Sequence, residues 1–193
     1  IPVVVSESGL KDVVYNDFFV GDDADVVIVA GCGINNCGSQ DSDHDGVHRF
    51  FIGKNARVKY VEKHYGEGEG TGKRILNPTT EVNIGEGSYV EMEMVQIKGV
   101  DSTVRLTTAK LDAGAKLVVR ERLMTHGEQH AQSSYTIELN GDGSSADVVS
   151  RSVAREQSYQ HYCSRIVGNA ACSGHTECDA IIMDTAKVLA VPE

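Results

Sequence analysis

Apolar and polar side chains alternate strictly over short stretches of this chain. Ala56, Val58 and Tyr60 take every second place among Arg57, Lys59 and Val61, and Val90, Met92 and Met94 do the same among Tyr89, Glu91 and Glu93. Period two is the pattern of a strand with one buried face. Val104 to Thr108 and Tyr135 to Leu139 read as further strands. No long stretch carries the three-and-four spacing of an amphipathic helix, so the pattern predicts an all-β protein.

A second regularity organises these strands. An apolar residue, a turn rich in Gly, Asn and Asp, a small residue and an alternating strand recur in that order. Val20-Gly21-Asp22-Asp23-Ala24, Ile52-Gly53-Lys54-Asn55-Ala56, Ile84-Gly85-Glu86-Gly87-Ser88 and Leu111-Asp112-Ala113-Gly114-Ala115 are the first four copies. A lengthened copy at Leu139 to Val148 and a weaker one at Val167-Gly168-Asn169-Ala170-Ala171 complete the series, with starts at 20, 52, 84, 111, 139 and 167. So regular a spacing predicts a solenoid. Unmarked strands lie between the marked ones, so each repeat holds two strands and two corners, about one coil of a flattened parallel β-helix. The expectation is a single domain over residues 1–193 with roughly six coils. Gly, Asn and Asp supply the positive φ that corners need, and the small residue after them fits an inward bend.

Composition narrows the function classes. With 40% hydrophobic and 6% aromatic residues the chain is not disordered. No apolar run approaches the roughly 20 residues of a membrane helix, so no membrane partner is expected. The first residues, Ile1-Pro2-Val3-Val4-Val5, contain neither a starting Met nor a signal peptide. They read as the beginning of a piece of a longer cytoplasmic protein with flanking regions on both sides. The formal charge of −10, from 18 basic and 28 acidic residues, argues against nucleic acid.

Five cysteines, Cys32, Cys37, Cys163, Cys172 and Cys178, form an odd set that suits free thiols in a reducing compartment. His161, Cys163, Cys172, His175 and Cys178 gather near the end. Their ligand types suit zinc or an iron–sulfur unit. Residues three apart on a flat strand face opposite sides, so Cys172, His175 and Cys178 converge only if a corner falls among them, and Gly174 offers one. The alternative makes Cys163 and Cys172 small core residues.

Other stretches imitate motifs and fail on inspection. Asp41-Ser42-Asp43-His44-Asp45-Gly46 opens like a calcium loop, but Ile52 stands where the bidentate Glu is required; it reads as an acidic loop. Gly66 to Arg74 imitates a phosphate loop without its leading Gly or its Ser/Thr, and reads as a corner excursion. His44 and His48 form a possible metal pair, lacking the Glu of a zinc-protease motif and running into strand-like Phe50-Phe51-Ile52. Asn77-Pro78-Thr79 is no glycosylation acceptor. His126 and His130 suit an exposed corner, and Glu121 with Arg122 suits a charge ladder between coils.

Gly31-Cys32, then Asp43 to His48, then Ile52-Gly53-Lys54-Asn55-Ala56-Arg57-Val58-Lys59-Tyr60 together resemble the core domain of the SufB/SufD family, scaffold proteins of the Suf iron–sulfur cluster assembly system. Ser144 to Ser152 looks like that family's Ser-rich strand. Glu177-Cys178-Asp179-Ala180-Ile181-Ile182-Met183-Asp184 looks like its Gln-Cys-Asp block, with Glu177 in place of the usual Gln. The resemblance spans nearly the whole chain and implies a right-handed parallel β-helix that pairs with a second SufB/SufD-type subunit, identical or different, and with the SufC-type ATPase. It implies Cys178 as the thiolate that receives sulfur or holds a nascent cluster; the residues gathered near it make Cys172, His175, Cys163 and Glu177 the candidate auxiliary ligands. The cluster would be transient cargo, not needed for folding, and the protein a scaffold rather than an enzyme.

A thiolate is both the nucleophile of persulfide chemistry and a soft ligand for iron, so one Cys serves both steps. Two other readings stand beside this one. A structural SufD-like or general protein-interaction solenoid would leave Cys178 inert. A carbohydrate-active β-helix would use paired carboxylates such as Glu91 and Glu93, but the chain has no Trp to stack on sugars.

Overall fold

The computed structural model describes residues 1–193 as fifteen strands, β1 to β15 in chain order, without a helix. One sheet holds β1 (Pro2–Val5), β3 (Asp25–Asn35), β5 (Arg57–Glu67), β8 (Tyr89–Lys98), β10 (Lys116–Thr125), β12 (Ser145–Ala154) and β14 (Ser173–Ile182), side by side in that order. The other holds β2 (Lys11–Val20), β4 (Ser42–Ile52), β6 (Arg74–Leu76) with β7 (Thr79–Ile84), β9 (Ser102–Leu111), β11 (His130–Leu139), β13 (Tyr159–Gly168) and β15 (Lys187–Pro192). All pairings are parallel, and the chain crosses from sheet to sheet at every corner. This is a parallel β-solenoid of about seven coils. The extra coil relative to the sequence expectation is the first, because β1 and β2 precede the first marked turn.

The six marked turns fall at corners, and their chemistry is local. Asp23 and Asn55 have φ of 57° and 52°, and glycines 87, 114 and 143 take the corresponding place in later coils. The small residue that follows turns into the core. Ser88 uses its hydroxyl twice there, donating to the Gly53 carbonyl at 2.7 Å and accepting from the Ala56 N–H at 2.8 Å, so one coil's corner fastens to the next.

Inward positions of both sheets interdigitate in one apolar core that includes Val58, Tyr60, Val90, Met92, Leu117, Val119, Ile137 and Val148. Phe18 stacks on Phe50 with ring centroids 4.6 Å apart. Pro78 has no N–H to give a ladder and splits one strand into β6 and β7. Asn77 repairs the gap by accepting the Val104 N–H on its side-chain oxygen at 3.0 Å.

Candidate functional site

The solenoid interior is not apolar throughout. The inward parity that buries Val58 and Tyr60 on β5 continues to Glu62 and His64, and on β9 it turns Thr103, Arg105 and Thr107 inward. Along the first sheet one register row runs Ala30, Glu62, Met94, Glu121, Ser150, Cys178. Two carboxylates and the predicted thiol therefore share one line inside the molecule.

Glu62 is completely buried and accepts hydrogen bonds from Arg105 at 2.5 Å and from the Tyr60 hydroxyl at 2.9 Å. Arg105 also donates to His64 Nδ1 at 3.2 Å, and the Nε2 atoms of His48 and His64 each lie 3.5 Å from Glu62 Oε1. Burial would raise the Glu62 pKa, but His64, Arg105 and His48 outweigh it and hold the carboxyl well below its ordinary range. Glu121 sits further along the row, accepting from Ser133 at 2.5 Å, Ser150 at 2.6 Å and Tyr135 at 3.0 Å, with Arg105 Nε at 3.8 Å. One guanidinium thus serves two buried carboxylates, and the hydroxyls fill their remaining acceptor positions.

Cys178 ends the row on β14, the last strand of its sheet. Its thiol is half-buried, and the residue borders the same interior hollow as Glu121, Ser133, Ser150 and Tyr162. Cys178 also lines an apolar groove on the flank of the sheet with Ile97, Leu123, Met124, Val153 and Ile181. Burial, then the charges of Glu121 and Asp179, push its pKa up. A positive partner is what such a sulfur needs to become a thiolate.

The proposed auxiliary ligands do not gather around it. Gly174 is no corner: it lies within β14 opposite Ala146, and the turn comes earlier, between Gly168 and Cys172. On the straight strand that follows, Thr176 and Cys178 face inward while His175 and Glu177 face outward, where they lie 3.4 Å apart and Glu177 meets Arg151 at 3.5 Å. Cys172 packs against the core beside the corner. Cys163 alternates with the buried Tyr162 and Ser164, so it sits on the outer face and not in the core. No three His, Cys, Asp or Glu side chains form a ready-made metal centre anywhere in the chain.

Other expectations are corrected by strand parity. Glu121 belongs to the interior and forms no outer ladder with Arg122, which faces the opposite way. The acidic stretch around Asp43 is strand β4 rather than a loop; Asp43 and Asp45 point outward, and Asn77 donates to both, at 3.4 and 3.1 Å. Glu91 and Glu93 are both engaged by Lys59 on the outer face, at 3.0 and 2.9 Å. Glu62, Arg105 and His64 escaped the sequence reading, although Val58 and Tyr60 had already set the parity that places Glu62 inside.

A family model described as SUF system FeS cluster assembly, SufBD core domain, matches residues 13–193. An iron–sulfur cluster assembly SufBD family protein of Methanocaldococcus jannaschii is 25% identical over 192 residues, covering 97% of this chain and 59% of the relative. A protein of the same description from Methanothermobacter thermautotrophicus strain Delta H is 22% identical over 192 residues, covering 98% of this chain and 46% of the relative. The chain spans about half the length of the curated relatives it matches.

Proposed function

Because this chain belongs to the SufBD core domain family of the SUF iron–sulfur cluster assembly system, we propose that it is a scaffold subunit on which sulfur and iron meet at Cys178. The observation that carries this reading is the position of that thiol: inward-facing, half-buried, and in register with a hydrogen-bonded interior row of carboxylates. A sulfur so placed is shielded on one side from random oxidation and remains within reach of a donor. The cluster is cargo, assembled on the thiolate and passed on.

The partners we propose are a second SufB/SufD-type subunit and a SufC-type ATPase. Exposed Ile181, Ile182, Met183 and Leu189 lie on the coil that holds Cys178, and an apolar patch of this kind favours a protein cover. Such a cover would complete the ligand set that Cys178 alone does not supply. Anaerobic reconstitution of wild type and Cys178→Ala with iron and sulfide, followed by absorption and iron content, tests the reading. The expected result is a cluster in wild type that is lost in the variant. Equal cluster content in both would remove Cys178 from the site, and none in either would favour a structural, SufD-like subunit.

A further inference from the structure

A groove of about 590 Å³ crosses the outer face of the first sheet, over β8, β10, β12 and β14. Strand parity builds it. Met124, Val153 and Ile181 are register partners that point outward, and Ile97 follows Gln96, the partner of Leu123, so four aliphatic side chains form one row across four coils. Two residues earlier on their strands, Arg122, Arg151 and Asp179 form a second row on the same face. Between the rows, Leu123, Ser152 and Ala180 turn their side chains to the opposite face, so the groove floor is sheet backbone.

Ile97 and Ile181 are 50% and 62% exposed, and exposed apolar side chains aligned in one patch mark an interaction surface. The other wall carries cationic excess. Arg122 is exposed without an ion-pair partner, and Arg151 stands 3.5 Å from Glu177 and 3.4 Å from Asp179 with 68% of its side chain exposed.

Strand spacing decides which shape fits. Successive side chains of each row are one coil apart, about 4.8 Å. A helix advances about 5.4 Å per turn, so its residues i, i+4 and i+7 keep nearly in step with the coils, whereas same-face residues of an extended strand repeat at about 6.6–6.8 Å and fall out of step. A strand also cannot add to a floor whose backbone groups are engaged between β10, β12 and β14. We propose that this groove docks an amphipathic helix of a partner protein, laid across the strands with its apolar stripe on the row from Ile97 to Ile181 and with Glu or Asp at i, i+4 beside Arg122 and Arg151. A second copy of this chain does not supply that occupant, since it has no helix. The inference uses the outer face alone and holds whether or not the inward-facing Cys178 thiol carries a cluster.

The test is fluorescence anisotropy of the full chain, in a Cys178→Ala background so that failure of the cluster reading does not affect the outcome. The probes are two labelled helical peptides that share a leucine stripe at i, i+4, i+7 and i+11 and carry either Glu or Lys along its flank. The Glu peptide is expected to bind, and the Lys peptide to bind at least about tenfold more weakly. Val153→Asp should abolish binding with an unchanged circular dichroism spectrum, and Arg122→Glu with Arg151→Glu should reverse the preference between the peptides. If Val153→Asp fails to fold, Val153→Ser takes its place and should weaken binding. Binding of neither peptide, equal binding of both, affinity unchanged in these variants, or sedimentation showing that the groove instead joins two copies of the chain overturns the proposal.

Discussion

Arg105 is the residue on which the interior depends most. Its guanidinium serves both buried carboxylates, touching Glu62 at 2.5 Å and approaching Glu121 at 3.8 Å. Removing one partner of a buried ion pair leaves uncompensated charge and costs about 3–5 kcal/mol. Arg105→Met is therefore expected to lose stability in that range by urea denaturation, although Met fills much of the same volume. A loss below about 1 kcal/mol would mean that the carboxylates simply take up protons instead. The parity of each such residue was legible in the sequence, since inward and outward positions alternate without exception along β5 and β9. Its partners were not, because Arg105, Glu62 and Glu121 come from three different coils and meet only across the core.

Corners are the elements that set the coil. Gly87 holds φ of 71°, and a Cβ there would stand 2.7 Å from Asn55 Oδ1 of the preceding coil. Gly87→Ala is expected to cost about 1–2 kcal/mol, since a left-handed L-residue is strained by that amount. Gly21 provides the control: its φ is not in the left-handed range and nothing lies within 4 Å of its added Cβ. Gly21→Ala should be neutral or stabilising by up to about 1 kcal/mol. Equal thermal shifts in the two variants would refute the assignment of φ as the cause. The sequence located all six marked corners because turn chemistry is local. It misplaced a corner at Gly174, since a glycine in a strand and a glycine in a turn look alike until the neighbouring strand supplies a register.

For the molecule as a whole, the buried ionisable groups fix a pH window. Burial lowers the His48 pKa from 6.5, and the Glu62 carboxyl sits well below 4.5. Both therefore contribute stability that is complete above their unfolded values and is lost as pH falls, first below about 6.5 for the imidazole and then below about 4.5 for the carboxyl. Burial pushes the Cys32 thiol from 9.0 up to about 12 and raises the Tyr60 and Tyr135 hydroxyls, so their contribution is complete below about 9 and is lost as pH rises beyond it. Tm should accordingly form a plateau between roughly pH 6.5 and 9 and fall on both sides. A Tm that climbs steadily below pH 6 would contradict the buried neutral imidazole. The sequence by itself determined the strand period, the corner chemistry and the all-β solenoid, because each depends on residues within a few positions of one another. Only the tertiary structure decided which side chains share the interior: stacking one coil on the next brings together residues about thirty apart, separates Cys178 from His175 and Glu177, and sets it in line with Glu121.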